Sequence, residues 1–532
     1  MAVEQITYKN IDPKLRTTIM FGLCLAMLVA CFDGTIVGTC APVIVQDLGG
    51  SGLYTWMITA YLLCETVMIP ISGKMSDLYG RKPLFLIGLT LFTVGSIVAG
   101  MSTSMEMLIA CRAVQGLGGG ILIPVATAAV ADLYAPEARA RMQGILGAIF
   151  GVGSGVGPVI GGYLAEYMSW HWCFYIGVPM ALISFALTIR KFPTPVEVNK
   201  PHIDYVGMAI LSIALVDIIL LLELGGKDIV WGSLTSILMA LAAVVLVALF
   251  ILVENKAVEP ILSPRLINNK TVIMAAIFMF VFGIGMMGAM TYSSYFAIAI
   301  LGLTTLESGI YSIAMVVGMM ITAMSSGALL NKTGYKPWLI SGPIITFISM
   351  YMMSRMSLDT TIEYYVMCLF ILGIGLGCMM AVIMTAVQNS SREEDMGMTT
   401  SSVNLMRSIG CTMGTAIFTT VINSKIATEL SKNVDPGVYE IIPHDTGMLD
   451  YFGSSDFMQQ LYQLGYTTEE AIKGVFHDML LSFANSVDMA FLVGGVIILL
   501  LVIVGIIFKA VSPEDVDAVA EARAKKKGKK TE

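Results

Sequence analysis

Runs of roughly twenty apolar residues, separated by short polar tracts, recur from one end of this 532-residue chain to the other. Twenty helical residues cover the roughly 30 Å hydrocarbon core of a bilayer. With 56% apolar and 13% charged residues and a mean hydropathy of +0.80, the chain falls far below the roughly 25% charge of soluble domains. In hydrocarbon each backbone polar group must be satisfied within its own segment, so long apolar runs become helices. The expectation is an all-α membrane protein.

Hydropathy predicts spans near 17–40, 53–72, 83–101, 106–130, 142–165, 171–190, 204–224 and 231–253, then 271–299, 307–330, 338–356, 361–387, 402–424 and 488–510, fourteen in all. The first run follows Lys14 and Arg16 but is too long for a secretory h-region and carries Asp33, so it reads as a span. Basic residues orient the set. Arg81, Lys82, Arg139, Arg141, Lys256 and Lys332 fall in loops on one side, together with Lys200 and Arg265; the opposite loops hold few, among them Lys227 and Arg355. The positive-inside rule places the richer side, and both termini, in the cytoplasm.

The tract GKMSDLYGRKP, Gly73 to Pro83, reads as a short loop between spans 2 and 3. A weaker copy, GALLNKTGYKP, begins at Gly327, between spans 10 and 11. The copies lie eight spans apart rather than six, so two helices stand inserted between similar halves. The expected organisation is a six-helix bundle over 1–190, a linker with two inserted helices over 191–270, a six-helix bundle over 271–510 that includes an outer loop at 425–487, and a basic tail over 511–532. The outer loop is polar and cysteine-free, and mild helical character from Thr467 to Phe476 suits a short helical cap as well as an ordered, function-neutral loop.

Within Gly73–Pro83, Asp77 and Arg81 are one helical turn apart, Gly73 and Gly80 permit close approach and tight turning, and Lys82 serves as a topology anchor. Such a cluster can hold two halves together in one state and release them in another. Span 5 reads GxxxGPxxGG through Gly153, Gly157, Pro158, Gly161 and Gly162, which gives one smooth packing face. Asp33 stands roughly 24 Å into span 1 and Arg112 roughly 8 Å below the outer end of span 4, depths that coincide. A charge at such depth costs about 2.5–3.5 kcal/mol on insertion scales and needs a partner or a wet cavity. A carboxylate can gain or lose a proton while arginine keeps its charge, so the pair suits proton coupling as well as a static ion pair. Glu65, at mid-depth in span 2, suits a second proton site, attraction of a cation, or a hydrogen-bonded core acid. Arg407 reads as lying near the inner end of its span, snorkelling to the interface. Met286, Met287 and Met290 suit an adaptable cavity or ordinary packing.

Nine cysteines without a CxxC pair read as core residues rather than a disulfide or metal framework, and four scattered histidines give no metal site. No GxxxxGK[ST] loop occurs, so energy would come from an ion gradient rather than a cofactor or ATP.

The Gly73–Pro83 tract resembles the signature loop of the major facilitator superfamily, and the span-5 glycines resemble the motif of its antiporters. FDGTIVGTCAP (Phe32 to Pro42), CRAVQGLGGG (Cys111 to Gly120), WHWCFYIGVP (Trp170 to Pro179) and NLMRSIGCTMG (Asn404 to Gly414) are similar to patterns of its fourteen-helix drug:proton antiporters, with Gly38, His171 and Gly177 departing from them. The resemblance implies a monomeric, non-enzymatic carrier in a bacterial or archaeal inner membrane or a plasma membrane, exporting lipophilic, cationic compounds for protons by alternating access. Its partners would be that small substrate, protons and the lipid bilayer, not nucleic acid. A dedicated exporter of one metabolite, antibiotic or lipid, and a non-transporting sensor or scaffold, compete with that reading.

Overall fold

The computed structural model describes residues 11–49, 53–192, 203–225, 229–257, 259–262, 266, 269–451 and 455–510. The basic tail, Lys200, Lys227 and Arg265 lie outside them. Among the described residues the chain is helical throughout, without a strand. The long helices are α1 (Pro13–Leu48), α2 (Tyr54–Tyr79), α3 (Arg81–Ala99), α4 (Met105–Leu133), α5 (Pro136–Tyr167), α6 (Gly177–Lys191) and α7 (Tyr205–Leu224). They continue as α8 (Leu234–Glu254), α9 (Lys270–Ala299), α10 (Thr305–Thr333), α11 (Lys336–Met353), α12 (Ile362–Ser390), α13 (Met396–Asn433) and α14 (Glu469–Leu499), the last followed by Leu501–Ile507. The end of the bundle at which α1 begins is the inner rim, the opposite end the outer rim.

Local chemistry starts these helices where polar residues precede apolar runs. Asp12, Ser104, Asp204, Thr361 and Thr468 each accept a first-turn backbone N–H, and Thr304 with Glu307 forms a capping box on α10. Gly80 ends α2 at φ 89° and Gly334 ends α10 at φ 73°, the equivalent glycines of the two repeated tracts. Both turns need the left-handed region that glycine alone enters freely.

Thirteen of the described helices are long and apolar enough to cross a membrane. The predicted span at 338–356 corresponds to α11, which falls short of that composition because two prolines and Lys336 dilute its 18 residues; it still packs against α12 and α14. α1 to α6 enclose two apolar clusters, one around Phe85 and Phe92 and one around Phe32 and Trp170. α9 to α14 share a single core around Phe278, Phe282, Phe418 and Phe491. The inserted α7 and α8 bind neither half exclusively: Leu211, Leu215 and Phe250 meet Ile69 of α2 and Leu405 of α13. Met286 is core, whereas Met287 faces outward at 38% exposure.

Three boundaries depart from the sequence reading. Gly73 to Tyr79 is the last stretch of α2, not a loop, and only Gly80 turns the chain. α13 starts at Met396 and runs 38 residues, about 57 Å, well past one bilayer core. Most of the 425–487 stretch is helical: α13 reaches Asn433, α14 begins at Glu469, and Pro436–Tyr439 and Ser455–Gln463 lie between them. Val438, Met448, Phe457, Leu461, Val475 and Met479 form the interior of this outer cap. Asn433 donates to Ser482 at 3.1 Å and Asn485 to Glu429 at 3.2 Å, tying the two long helices together. A fourth correction concerns cysteine: Cys40 and Cys173 form a disulfide near the outer rim. Trp170 Nε1 donates to Asp47 at 2.7 Å and thereby holds the short helix Trp172–Tyr175 against the end of α1.

At the inner rim the halves touch through two equivalent glycines. A Cβ at Gly73 would lie 1.9 Å from Ser401 Oγ of α13, and one at Gly327 would lie 2.5 Å from the Ala140 carbonyl oxygen of α5. In a Ser401→Cys background, Gly73→Val is expected to raise labelling by a membrane-impermeant maleimide applied to the inner side at least tenfold. Unchanged labelling would mean that the glycine contact does not keep this rim shut.

Candidate functional site

Asp33 of α1 and Arg112 of α4 form an ion pair in the bundle interior, at 6% and 2% exposure. Gln115, one turn beyond Arg112 and fully buried, completes the cluster. Its Nε2 donates to Asp33 Oδ1 at 3.0 Å and to Ser96 Oγ at 2.8 Å, and its Oε1 accepts from Arg112 Nη1 at 3.2 Å. Arg112 Nε donates to the Met57 carbonyl at 3.4 Å, and the guanidinium lies 4.2 Å from the centre of the Tyr61 ring. Both charges are thus paired and hydrogen-bonded, the condition under which charge is tolerated at this depth. Gln115, Ser96 and Tyr61 were not singled out from the sequence. The signal for Gln115 was present, three residues after an arginine on one helix face.

Glu65 of α2 is half-buried and stands apart from that pair. The charged groups around it are Arg407 of α13, Asp33 and Arg112. Arg407 does not snorkel: it is 7% exposed, about 16 Å into α13, with its guanidinium 5.1 Å from the centre of the Phe150 ring and its Nε without a partner. Misplacing the start of α13 at 402 is what had put it near the rim. Next to both residues, Thr66 and Ser408 share a hydrogen bond of 2.9 Å across the two halves.

The signature residues gather at the inner end of that seam. Asp77 accepts the backbone N–H groups of Gly397 at 2.8 Å and Met398 at 2.7 Å, and so caps the first turn of α13, where the helix dipole favours an anion. Arg81 binds Asp77 at 2.6 Å, Asp132 at 2.9 Å and Ser76 Oγ at 2.6 Å. Lys74 pairs with Glu259, beyond α8, at 2.6 Å, whereas Lys82 is half-buried beside Gly80 and outside this network. A second lock joins α4 and α5 to α12: Arg139 donates to Asn389 at 3.2 Å, Asn389 to Tyr335 at 3.1 Å, and Gln388 to the Thr127 carbonyl of α4 at 2.8 Å. Burial pushes the Tyr335 phenol up to about 12, so that lock stays neutral at its tyrosine over the physiological range.

The span-5 glycines place α1 and with it Asp33. A Cβ at Gly153 would sit 2.4 Å from Cys31 Cβ, one at Gly157 1.9 Å from Thr35 Oγ1, and one at Gly161 2.9 Å from the Ile36 carbonyl oxygen. Thr35 Oγ1 donates to the Gly153 carbonyl at 3.1 Å. Pro158 and Gly162 face the other half, against Gly309 and Leu306 of α10. α5 is thus pressed between α1 and α10. No group of metal-ligating side chains occurs among the described residues.

The family model described as Major Facilitator Superfamily matches residues 23–415. "Multidrug transporter protein MdtP" of Bacillus subtilis is 37% identical over 422 residues, covering 79% of this chain and 78% of that protein. "Multidrug resistance protein 3" of the same organism is 34% identical, covering 78% and 81%. Among solved structures, the human organic anion transporter MFSD10 superposes with a TM-score of 0.61 at 13% identity, covering 93% of this chain and all of that one. The proton:xylose symporter XylE gives 0.59 at 12%, covering 96% and all. These two neighbours show the fold. The chain is a multi-pass transporter of the cell membrane rather than an enzyme, and it belongs to the major facilitator superfamily.

Proposed function

We propose that this transporter exports lipophilic, cationic compounds in exchange for protons, alternating between states open to either side. The observation that carries the reading is the buried pair of Asp33 and Arg112, held by Gln115 in the bundle interior. A static scaffold gains little from two charges at that depth, whereas a carrier uses a carboxylate whose charge can change. Protonation of Asp33 from the outer side loosens its hold on Arg112 and Gln115; loss of that proton to the inner side restores it. A cation attracted to Asp33 or Glu65 competes with the proton, so either occupant is bound only when the other has left. The two Bacillus relatives, named as a multidrug transporter and a multidrug resistance protein, support breadth of substrate.

In this reading the inner rim is cytoplasmic, α1 to α14 are fourteen spans with both termini inside, and the carrier works as a monomer without a cofactor. The contacts of Gly73, Asp77, Asn331 and Arg139 across the inner rim fit a state closed toward the cytoplasm.

In proteoliposomes carrying a pH gradient, ethidium is expected to evoke proton flux in the wild-type protein and none in Asp33→Asn. Flux that persists in the variant moves coupling to Glu65, and silence with a broad panel of drugs removes the multidrug reading. Gln115→Leu deprives an ionised Asp33 of a donor. It is expected to slow exchange about tenfold, about 1.4 kcal/mol, as loss of one hydrogen bond to a charged group does. Initial exchange rates with wild-type thermal stability as the reference check it, and an unchanged rate would make Gln115 structural only.

A further inference from the structure

Arg407 carries a permanent charge that the coupling pair leaves without a task. It is 93% buried by its 7% exposure, its Nε has no partner, and no repeat or rim position explains it. It lies on α13, the helix of the second half that meets α2 along the whole inner side of the seam. Moving outward from the rim, that seam joins Asp77 to the first turn of α13, Gly73 to Ser401, and Thr66 to Ser408. At its outer end stand Glu65 and Arg407, one residue before Thr66 and Ser408 respectively.

We infer that Arg407 is the counter-charge of Glu65 across the two halves, and that protonation of Glu65 releases α2 from α13. The groups that face Glu65 are Asp33 and Cys31 from α1, Arg112 from α4, Tyr61 of its own helix, and Arg407 and Cys411 from α13. Of these, Arg112 is already held by Asp33, inside the same half. Titration of Asp33 therefore changes contacts within the first half, whereas titration of Glu65 changes an attraction between halves. An ionised Glu65 draws Arg407 and keeps the seam closed; a neutral Glu65 leaves Arg407 unpaired in a low-dielectric interior and makes the closed seam costly. Both residues sit on rigid helices, so the change is transmitted to Asp77, about 18 Å away along α2. The Arg139–Asn389–Tyr335 lock joins α5 to α12, apart from the α2–α13 seam. Proton uptake then becomes a condition for opening toward the inner side, which deepens the antiport reading and rests on it.

Hydrogen–deuterium exchange of the full chain in nanodiscs, without substrate or gradient, tests this apart from transport. At pH 7.5 the segment 396–401 and the segment 73–80 are expected to exchange at least tenfold faster in Glu65→Gln and in Arg407→Gln than in wild type. Arg407→Lys, which keeps the charge, should stay protected, and Asp33→Asn should leave the two segments unchanged. The double variant Glu65→Gln/Arg407→Gln should exchange no faster than either single one. Wild-type protection in Arg407→Gln, or additive effects in the double variant, would overturn the pairing. Loss of protection also in the outer cap would mark a folding defect, and Arg407→Lys then decides: protected segments uphold the pairing and exposed ones overturn it. Failure of drug-evoked flux with this exchange pattern intact would sink the export reading and leave the switch standing.

Discussion

A charge inside hydrocarbon must find an opposite charge or a set of oriented dipoles, and the arrangement of this bundle follows from how each one does so. Asp33 and Arg112 solve the problem inside the first half, with Gln115 and Ser96 taking up the remaining donors and acceptors. Asp77 solves it across the halves, through Arg81 on its own side and two backbone N–H groups of α13 on the other. Arg139 likewise reaches out of α5 to Asn389 of α12. Partners within one half survive any rigid-body motion of the halves; partners across the seam must be exchanged for water when it opens. The division between permanent and interruptible contacts is thus drawn by which helix supplies the second group.

Small residues make those exchanges possible. In lipid no hydrophobic force drives helix against helix, so close packing has to supply the attraction, and glycine allows the closest approach. The face of Gly153, Gly157 and Gly161 locks α1 to α5 by contacts to Cys31, Thr35 and Ile36, and so fixes the height of Asp33 relative to Arg112. Gly73 and Gly327 do the opposite service, letting each half meet the other's backbone at the inner rim without bulky side chains that would have to withdraw. Duplication explains why they come in a pair, and why Gly80 and Gly334 turn the chain at matching places.

Much of this was readable in the sequence because hydrocarbon imposes strong patterns. The coincident depths of Asp33 and Arg112 anticipated their contact, and the echo of the Gly73–Pro83 tract anticipated the inserted pair. Reading failed where tertiary partners override hydropathy. Lys74, Asp77 and their neighbours looked like a loop because they are polar, yet Glu259, Arg81 and the α13 N-terminus satisfy them and α2 runs on to Tyr79. The start of α13 was hidden by Thr399, Thr400 and Ser401, all fully buried, and that shift misplaced Arg407. Of the cap only the helical character of Thr467 to Phe476 was legible, because its other helices are short and amphipathic and their apolar residues average away over a long window. Cys40 and Cys173, 133 residues apart, gave no spacing from which to infer a bond.

The inserted helices add a constraint of their own. α7 and α8 cover the same α2–α13 seam that the cross-half contacts close, so any separation there has to pass beneath them. Their two attachments differ in kind. Toward α2 the segment after α8 offers the Lys74–Glu259 ion pair, which is directional and holds one geometry. Toward α13 the contact is Leu405 with Met406 and Ile409, apolar side chains without a fixed partner. An ion pair fixes the geometry of its two partners, whereas an apolar contact holds no fixed geometry. The inserted pair is thus joined to the first half by a directional contact and to the second by apolar packing, and it covers the seam between them.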